Sequence, residues 1–161
     1  MICGTNALGY SQFDCPKCKN SYTVFHTCKS RFCPSCGIKY IKQRLEVLES
    51  TILNVKHRHL VFTIPKELRP ILREDRYNIN FVFEAVRITL LEVFEEKGLI
   101  PGFVSVLHTF GRNIKWNPHI HVLLTEGGLN KKGKFITLDY ISFELLRKKY
   151  QYNLLNIFSK I

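Results

Sequence analysis

The sequence predicts an α+β protein in which a small cysteine-rich module precedes a domain of mixed strands and helices. Three observations carry that reading. All six cysteines fall between residues 3 and 36. From His57 onward the apolar residues alternate between the two-residue repeat of strands and the three-to-four repeat of helices. Those segments follow the order strand, helix, strand, strand, helix, which suits an antiparallel sheet with helices on one face. The 161 residues suffice for one ordinary domain plus a small module, and the expected boundary separates residues 1–42 from 43–161.

Residues 1 to about 40 are rich in Cys, Lys, Ser and Gly and poor in long apolar runs. "IKYIKQRLEVLESTILNV" reads as a helix with Ile41, Leu45, Leu48 and Ile52 on one stripe. "HLVFTI" is β-branched and aromatic, hence a strand, and Pro65 ends it. "PKELRPILRE" is a short helical or turn segment. "NINFVFEAVRITLLEVFEEKG" is a helix with Phe81, Ala85, Ile88, Leu91 and Phe94 on one face and Gly98 as its stop. "GFVSVLHTF" and "PHIHVLLTE" are strands joined by "GRNIKWN", "GGLNKKGKF" is a basic turn, and "SFELLRKKYQYNLLNIFSKI" is a final amphipathic helix.

Composition narrows the class of function. A hydrophobic fraction of 45% with 12 phenylalanines excludes wholesale disorder. No apolar run approaches the roughly 18 to 20 residues of a membrane span, and the N-terminus lacks the pattern of a secretory signal. These features lead to the expectation of a cytoplasmic protein without a membrane partner. The net charge of +11 favours a polyanion. It is densest early: residues 1–60 carry nine Lys/Arg against three Asp/Glu. Cations beside aromatics in "CKSRFC" and "GRNIKW" suit phosphates and stacked bases, which nominates Lys29, Arg31, Arg112 and Lys115 as DNA contacts. Phe32 and Trp116 also fit ordinary packing.

Clustered cysteines without a secretory signal argue for metal rather than disulfides. Cys15-x2-Cys18 and Cys33-x2-Cys36 have fourteen residues between them, the usual zinc-ribbon spacing or one residue short of it. Two residues between thiolates let both sulfurs reach one ion at about 2.3 Å. The expected structural Zn2+ ligands are therefore Cys15, Cys18, Cys33 and Cys36. Cys3, His26 and Cys28 are either spare or part of an incomplete second site. A closed four-thiolate site is structural, since it leaves no position for substrate.

"NPHIHVLL" raises a second possibility. Residues i and i+2 of a strand share a face, so His119 and His121 project together while Ile120 faces the core. Taken alone, the pair also fits two polar residues on a solvent-facing strand. His108 lies on the preceding strand, and it joins them only if the hairpin register sets 108 opposite 119. Three neutral histidines would leave open positions on a divalent ion, as catalysis requires. His57 and His59 read as supporting or phosphate-facing residues.

"CKSRFCPSCG", "HRHLVFTIPKELR", "PGFVSVLHTFGRNIKWNPHIHVLLTEGGL" and "FELLRKKYQ", in this order, resemble the rolling-circle insertion-sequence transposases of the HUH, two-tyrosine class, which carry an N-terminal zinc-binding domain. The resemblance covers nearly the whole chain. It implies a zinc-binding domain over 1–42 and an HUH endonuclease-type domain over 43–161. His119 and His121 are then the His-hydrophobic-His ligands of a catalytic Mg2+ or Mn2+, with His108 as the third. The implied chemistry is attack of a tyrosine on a DNA phosphate, giving a 5′-phosphotyrosine and a free 3′-hydroxyl. The implied partner is single-stranded or hairpin DNA.

One departure stands out. The family's tyrosine pair lies on a helix beyond the region matching "FELLRKKYQ", so the expectation is an N-terminal portion of a transposase, its catalytic domain incomplete and without its nucleophile. Tyr150 and Tyr152 diverge by roughly 200° on a helix and cannot both face one site, and Tyr140 is a weaker candidate still. The alternative is a non-enzymatic zinc-ribbon DNA-binding protein, or more remotely a protein-interaction zinc module.

Overall fold

The computed structural model describes residues 2–160 except Arg31, one of the expected DNA contacts, which lies outside the described residues. The chain forms two compact units, residues 1–53 and 54–161. The division falls eleven residues past the expected boundary of 42/43, because one continuous helix runs through that position.

In the first unit, β1 (Tyr10–Asp14) and β2 (Ser21–Phe25) make an antiparallel hairpin with Tyr10 opposite Phe25 and Asp14 opposite Ser21. Neither strand is evident from hydrophobic alternation, because no residue of the hairpin is buried. α1 (Pro34–Thr51) follows, with Pro34 in its first turn, where the missing N–H costs nothing. Its expected apolar stripe does not form a core within this unit: Ile41 and Leu45 are about half exposed. No described residue of 2–53 is buried.

The second unit has the core. β3 (His57–Thr63), β4 (Ile100–Phe110) and β5 (Trp116–Leu129) form an antiparallel sheet in the order β3-β5-β4. A short β6 (Phe135–Thr137) pairs with the end of β5 and begins at the last residue of the stretch expected to be a turn. That pairing needs Gly127, where an added Cβ would collide with the carbonyl oxygen of Ile136. α2 (Arg69–Glu74) is a short helix, while α3 (Ile79–Glu95) and α4 (Phe143–Phe158) are long. Ser142 caps α4 by accepting from the Leu145 N–H.

Alternation along the strands separates two faces. Leu60 and Phe62 of β3 and Ile120, Val122 and Leu124 of β5 are buried with Val82, Val86, Leu90 and Phe94 of α3 and Leu146, Tyr150 and Leu154 of α4. The buried stripe of α3 runs through Ile79, Val82, Val86, Thr89, Leu90 and Val93 besides Ala85 and Phe94. Phe81, Ile88 and Leu91 flank it, half-buried, so the expected helical face is rotated. α4 is tied to α3 by Asn153, which donates to Thr89 Oγ1 at 3.2 Å and Glu92 Oε2 at 3.1 Å. The other face of the sheet is open: Val61 is 47% and Val106 50% exposed. That face carries the histidines.

Candidate metal centres

The first unit gathers four thiols. One sulfur from each of Cys3, Cys28, Cys33 and Cys36 lies within 4.8 Å of the others. Cys3 Sγ is 3.4 Å from Cys36 Sγ, and Cys28 Sγ is 3.9 Å from Cys36 Sγ. A tetrahedron of ~2.3 Å metal–sulfur bonds has edges of about 3.8 Å, so the cluster has the size of a four-thiolate zinc site. The Cys28 N–H donates to Cys3 Sγ at 3.3 Å. The Cys36 backbone N–H holds the Cys33 thiol down to about 7. Cys3 is lowered by the Cys28 amide but driven up to about 12 by the crowding thiols of Cys36, Cys28 and Cys33 and by burial. Four sulfurs this close cannot all ionise unaided, and a divalent cation removes that conflict.

This set corrects the expected pairing. Cys33 and Cys36 join Cys3 and Cys28, not Cys15 and Cys18. The reason is the hairpin: Cys15 and Cys18 sit in the turn beyond the Asp14–Ser21 rung, while Cys28 follows the Tyr10–Phe25 end. Four residue steps at about 3.3 Å put roughly 13 Å between those ends. The Cys15–Cys18 turn is ordered by itself: Lys19 N donates to Cys15 O at 2.9 Å, with Lys19 at φ 57°. Backbone N–H groups of Cys18 and Lys17 lower the Cys15 thiol. His26 is also outside the cluster, with its Nε2 2.9 Å from Ser11 Oγ. The overlooked signal was Cys28-x4-Cys33-x2-Cys36, three cysteines within nine residues, which needs only one more thiol from a distant loop.

In the second unit, His108 is in register with His119, the condition on which the third histidine depended. One ring nitrogen from each of His108, His119 and His121 lies within 4.8 Å of the others. Ring centroids are 5.4 Å apart for His108–His119, 4.0 Å for His108–His121 and 4.9 Å for His119–His121. Ile120 between the pair is fully buried. The strand's alternation thus anchors the pair through its core residue.

Hydrogen bonds orient the rings. His119 Nδ1 is 2.7 Å from the carbonyl oxygen of Asn117. A carbonyl only accepts, so Nδ1 carries the proton and Nε2 keeps a free lone pair. His121 Nδ1 is 2.7 Å from Nε2 of His59, with the two rings nearly parallel at 13°. That leaves His121 Nε2 buried without a partner. Burial first, then the neighbouring His108, His119 and His59, lowers the His121 pKa, which favours the neutral ring that a metal needs. An orphaned nitrogen beside two other free ring nitrogens fits a divalent ion.

The remaining expected residues are dispersed. Arg112 and Lys115 are exposed on the β4–β5 turn, and Lys29 is exposed in the first unit. Tyr150 packs edge-on against Phe62, 4.9 Å between centroids, on the core face away from the histidines. Its hydroxyl is buried without a partner, and burial pushes its pKa up. Tyr152 is 69% exposed. Cations missed by the sequence reading lie at Lys66, Arg69 and Arg73, lining a cleft with Lys115, Trp116 and Asn117. Their i, i+3, i+7 spacing was the available signal.

Known proteins share both units. The family model described as a transposase zinc-binding domain matches residues 1–64, and that of a putative transposase matches residues 102–158. The chain is 32% identical over 154 residues to the transposase for insertion sequence element IS801 of Pseudomonas savastanoi pv. phaseolicola. It belongs to the insertion-sequence transposases with a zinc-binding domain. The IS801 match covers 94% of this chain and 37% of that protein. A putative transposase, y4qJ of Sinorhizobium fredii, is 31% identical over 136 residues, covering 82% of this chain and 34% of its own length. This transposase-family chain thus spans little more than a third of the curated relatives it matches.

Two solved structures of the conjugative relaxase TrwC are also similar. One is copper-bound with oriT DNA (TM-score 0.47, 63% of this chain and 42% of that one). The other holds a 27-mer with the recognition hairpin and cleavage site (TM-score 0.48, 63% and 44%). Both are 17% identical. The family carries a zinc-binding module, and the four-cysteine cluster fits such a module. Among the described residues no helix is long and apolar enough to cross a membrane.

Proposed function

We propose that this chain supplies the zinc module and the metal-binding histidine face of a transposase that nicks and rejoins single DNA strands through a phosphotyrosine. Cys3, Cys28, Cys33 and Cys36 would hold a structural Zn2+. His108, His119 and His121 would hold the catalytic ion. The observation that carries the reading is the orphaned, buried His121 Nε2 beside the rings of His108 and His119, which stand opposite each other on one rung of the sheet. Between Mg2+ and Mn2+, an all-imidazole donor set favours Mn2+.

A divalent ion held by His108, His119 and His121 would supply Lewis-acid polarisation of a DNA phosphodiester and offset charge in the transition state. The chain's own residues define the rest. The Asn117 carbonyl and His59 fix the rings of His119 and His121, so that their free nitrogens converge. The open face admits a strand, and the core behind Ile120 keeps the rungs rigid. In the strand transfer so read, a tyrosine oxygen attacks phosphorus, the phenolic proton leaves, and the departing 3′-oxygen takes up a proton. Tyr150 is unsuited to that attack: it faces the core and its hydroxyl stays protonated. The nucleophile is read as a tyrosine outside residues 1–161, following the family resemblance that places the tyrosine pair beyond the region matching "FELLRKKYQ". The DNA would be single-stranded or hairpin in form, drawn by the excess of positive charge.

The test is a Mn2+ titration of the zinc-loaded chain followed by electron paramagnetic resonance. One Mn2+ per chain should bind, and His119→Ala with His121→Ala should abolish it. Unchanged Mn2+ binding in that variant would sink the metal assignment and favour the non-enzymatic zinc-binding DNA protein. A covalent tyrosine–DNA adduct formed by this chain alone would overturn the external nucleophile.

A further inference from the structure

A cleft of about 460 Å³ lies at the end of the sheet where β5 begins, lined by Lys66, Arg69, Arg73, Lys115, Trp116 and Asn117. Its chemistry is specific. Four cations converge, and none of them is in an ion pair among the described residues. The walls are braced: Arg69 Nε donates to the Ile64 carbonyl at 3.2 Å, and Trp116 Nε1 to the Arg69 carbonyl at 3.4 Å. Asn117 Oδ1 is buried without a hydrogen-bond donor. Cations without counter-charges call for phosphate, an indole wall offers a stacking surface, and an unfilled acceptor calls for an N–H. A nucleotide carries all three complements, which inorganic phosphate does not.

The cleft is linked to the histidine trio through one residue. Asn117 lines it, and the carbonyl oxygen of the same residue accepts from His119 Nδ1. A register shift between His108 and Phe110 sets Asn117 and Pro118 opposite Thr109 alone and brings Trp116 into register with Phe110, a bulge that re-aims side chains beside the site. Trp116 precedes His119 by three residues, about 10 Å along a strand. We propose that this cleft is a nucleotide subsite for single-stranded DNA. It holds the nucleotide adjoining the phosphate at the histidine trio, with its phosphate on Lys66, Arg73 and Lys115 and its base against Trp116 and Asn117. The proposal rests on reading that trio as the phosphodiester site.

Trp116 is the chain's one tryptophan, so its emission reports on the cleft directly. The probe is an oligodeoxycytidylate of about twelve nucleotides, whose bases carry an amino donor, added to the zinc-loaded full chain without Mn2+. It should quench Trp116, whereas inorganic phosphate at equal phosphate concentration should not. Free deoxycytidylate should quench only at much higher concentration; equal affinity would overturn the strand as ligand. Changing the exposed Lys66, Arg73 and Lys115 together to Gln should weaken strand binding about ten-fold or more. It should also lower the log–log salt slope by about 0.7, the contribution of one phosphate no longer neutralised. Unchanged affinity and slope would overturn the proposal. So would strand binding, seen by anisotropy of a labelled oligonucleotide, that leaves Trp116 emission unchanged. The Mn2+ titration reads the trio separately. Mn2+ binding without quenching would overturn the cleft and spare the trio, and quenching without Mn2+ binding would do the reverse.

Discussion

The cysteine cluster and the histidine trio are built in opposite ways. Cys3 and Cys36 meet across thirty-three positions of chain, in a unit with no buried residue among those described. The histidines stand together on one face of a sheet whose reverse side packs a continuous core from Leu60 to Leu154. In the first unit there is little besides the sulfurs to hold the loops together, so the metal would be the scaffold. In the second the scaffold exists already, and a metal would be its passenger. Donor chemistry follows the same division: four thiols close a tetrahedron, whereas three imidazoles leave positions for a substrate.

Removing the metal from each unit is the most forceful way to break this comparison. Chelation of zinc, or Cys33→Ser, should unfold the first unit, since structural zinc contributes on the order of 10 kcal/mol in small modules. Amide spectra should lose dispersion for residues 2–53 and keep it for the second unit. A metal-free first unit that stays folded would end the idea of metal as scaffold. The next largest effect is on binding alone. His119→Ala with His121→Ala should eliminate Mn2+ binding but leave the thermal transition of the second unit nearly in place, because its core lies behind Ile120. A large drop in that transition would mean that the histidines hold the sheet together.

The sequence revealed the second unit far better than the first, for a physical reason. In "PHIHVLL" the two-residue period, the buried Ile120 and the paired histidines all state one face assignment. His108 could be nominated but not fixed, because register depends on the β4–β5 turn, where Ile114 takes a positive φ of 58°. The buried stripe of α3 was rotated because Thr89 enters the core with its hydroxyl satisfied by the Ala85 carbonyl, which polarity argues against. β6 was hidden since its pairing depends on backbone access at Gly127 rather than on apolar residues. In the first unit hydrophobic pattern had no purchase at all. Equal CxxC spacings at Cys15 and Cys33 suggested a partnership, whereas the hairpin sets the Cys15–Cys18 turn at the opposite end from Cys28.

A smaller effect separates direct contact with the ion from support. His59 touches His121 rather than the other rings, 2.7 Å from its Nδ1. His59→Ala should weaken Mn2+ binding about ten-fold without abolishing it, as loss of an orienting partner does. His59→Gln, which retains a hydrogen-bonding head, should recover part of the loss. Abolition of binding by His59→Ala would make it a ligand, and no change would make it a bystander.

The smallest expected effect sharpens the cysteine side. Cys15 and Cys18 make a self-contained turn whose sulfur is addressed by its own backbone N–H groups, remote from the four-thiol cluster. Changing both to Ser should leave one zinc per chain and the spectrum of residues near Cys28 and Cys36 unaltered, whereas Cys3→Ser should lose that zinc. The two outcomes discriminate because each variant removes thiols that sequence spacing alone treats the other way round. Spacing makes Cys15 and Cys18 ligands and Cys3 spare. The geometry instead gathers Cys3 into the cluster, since its sulfur accepts from the Cys28 amide and lies 3.4 Å from Cys36. Zinc content by mass spectrometry under native conditions reads the difference directly, and loss of metal from the Cys15/Cys18 variant would restore the zinc-ribbon pairing.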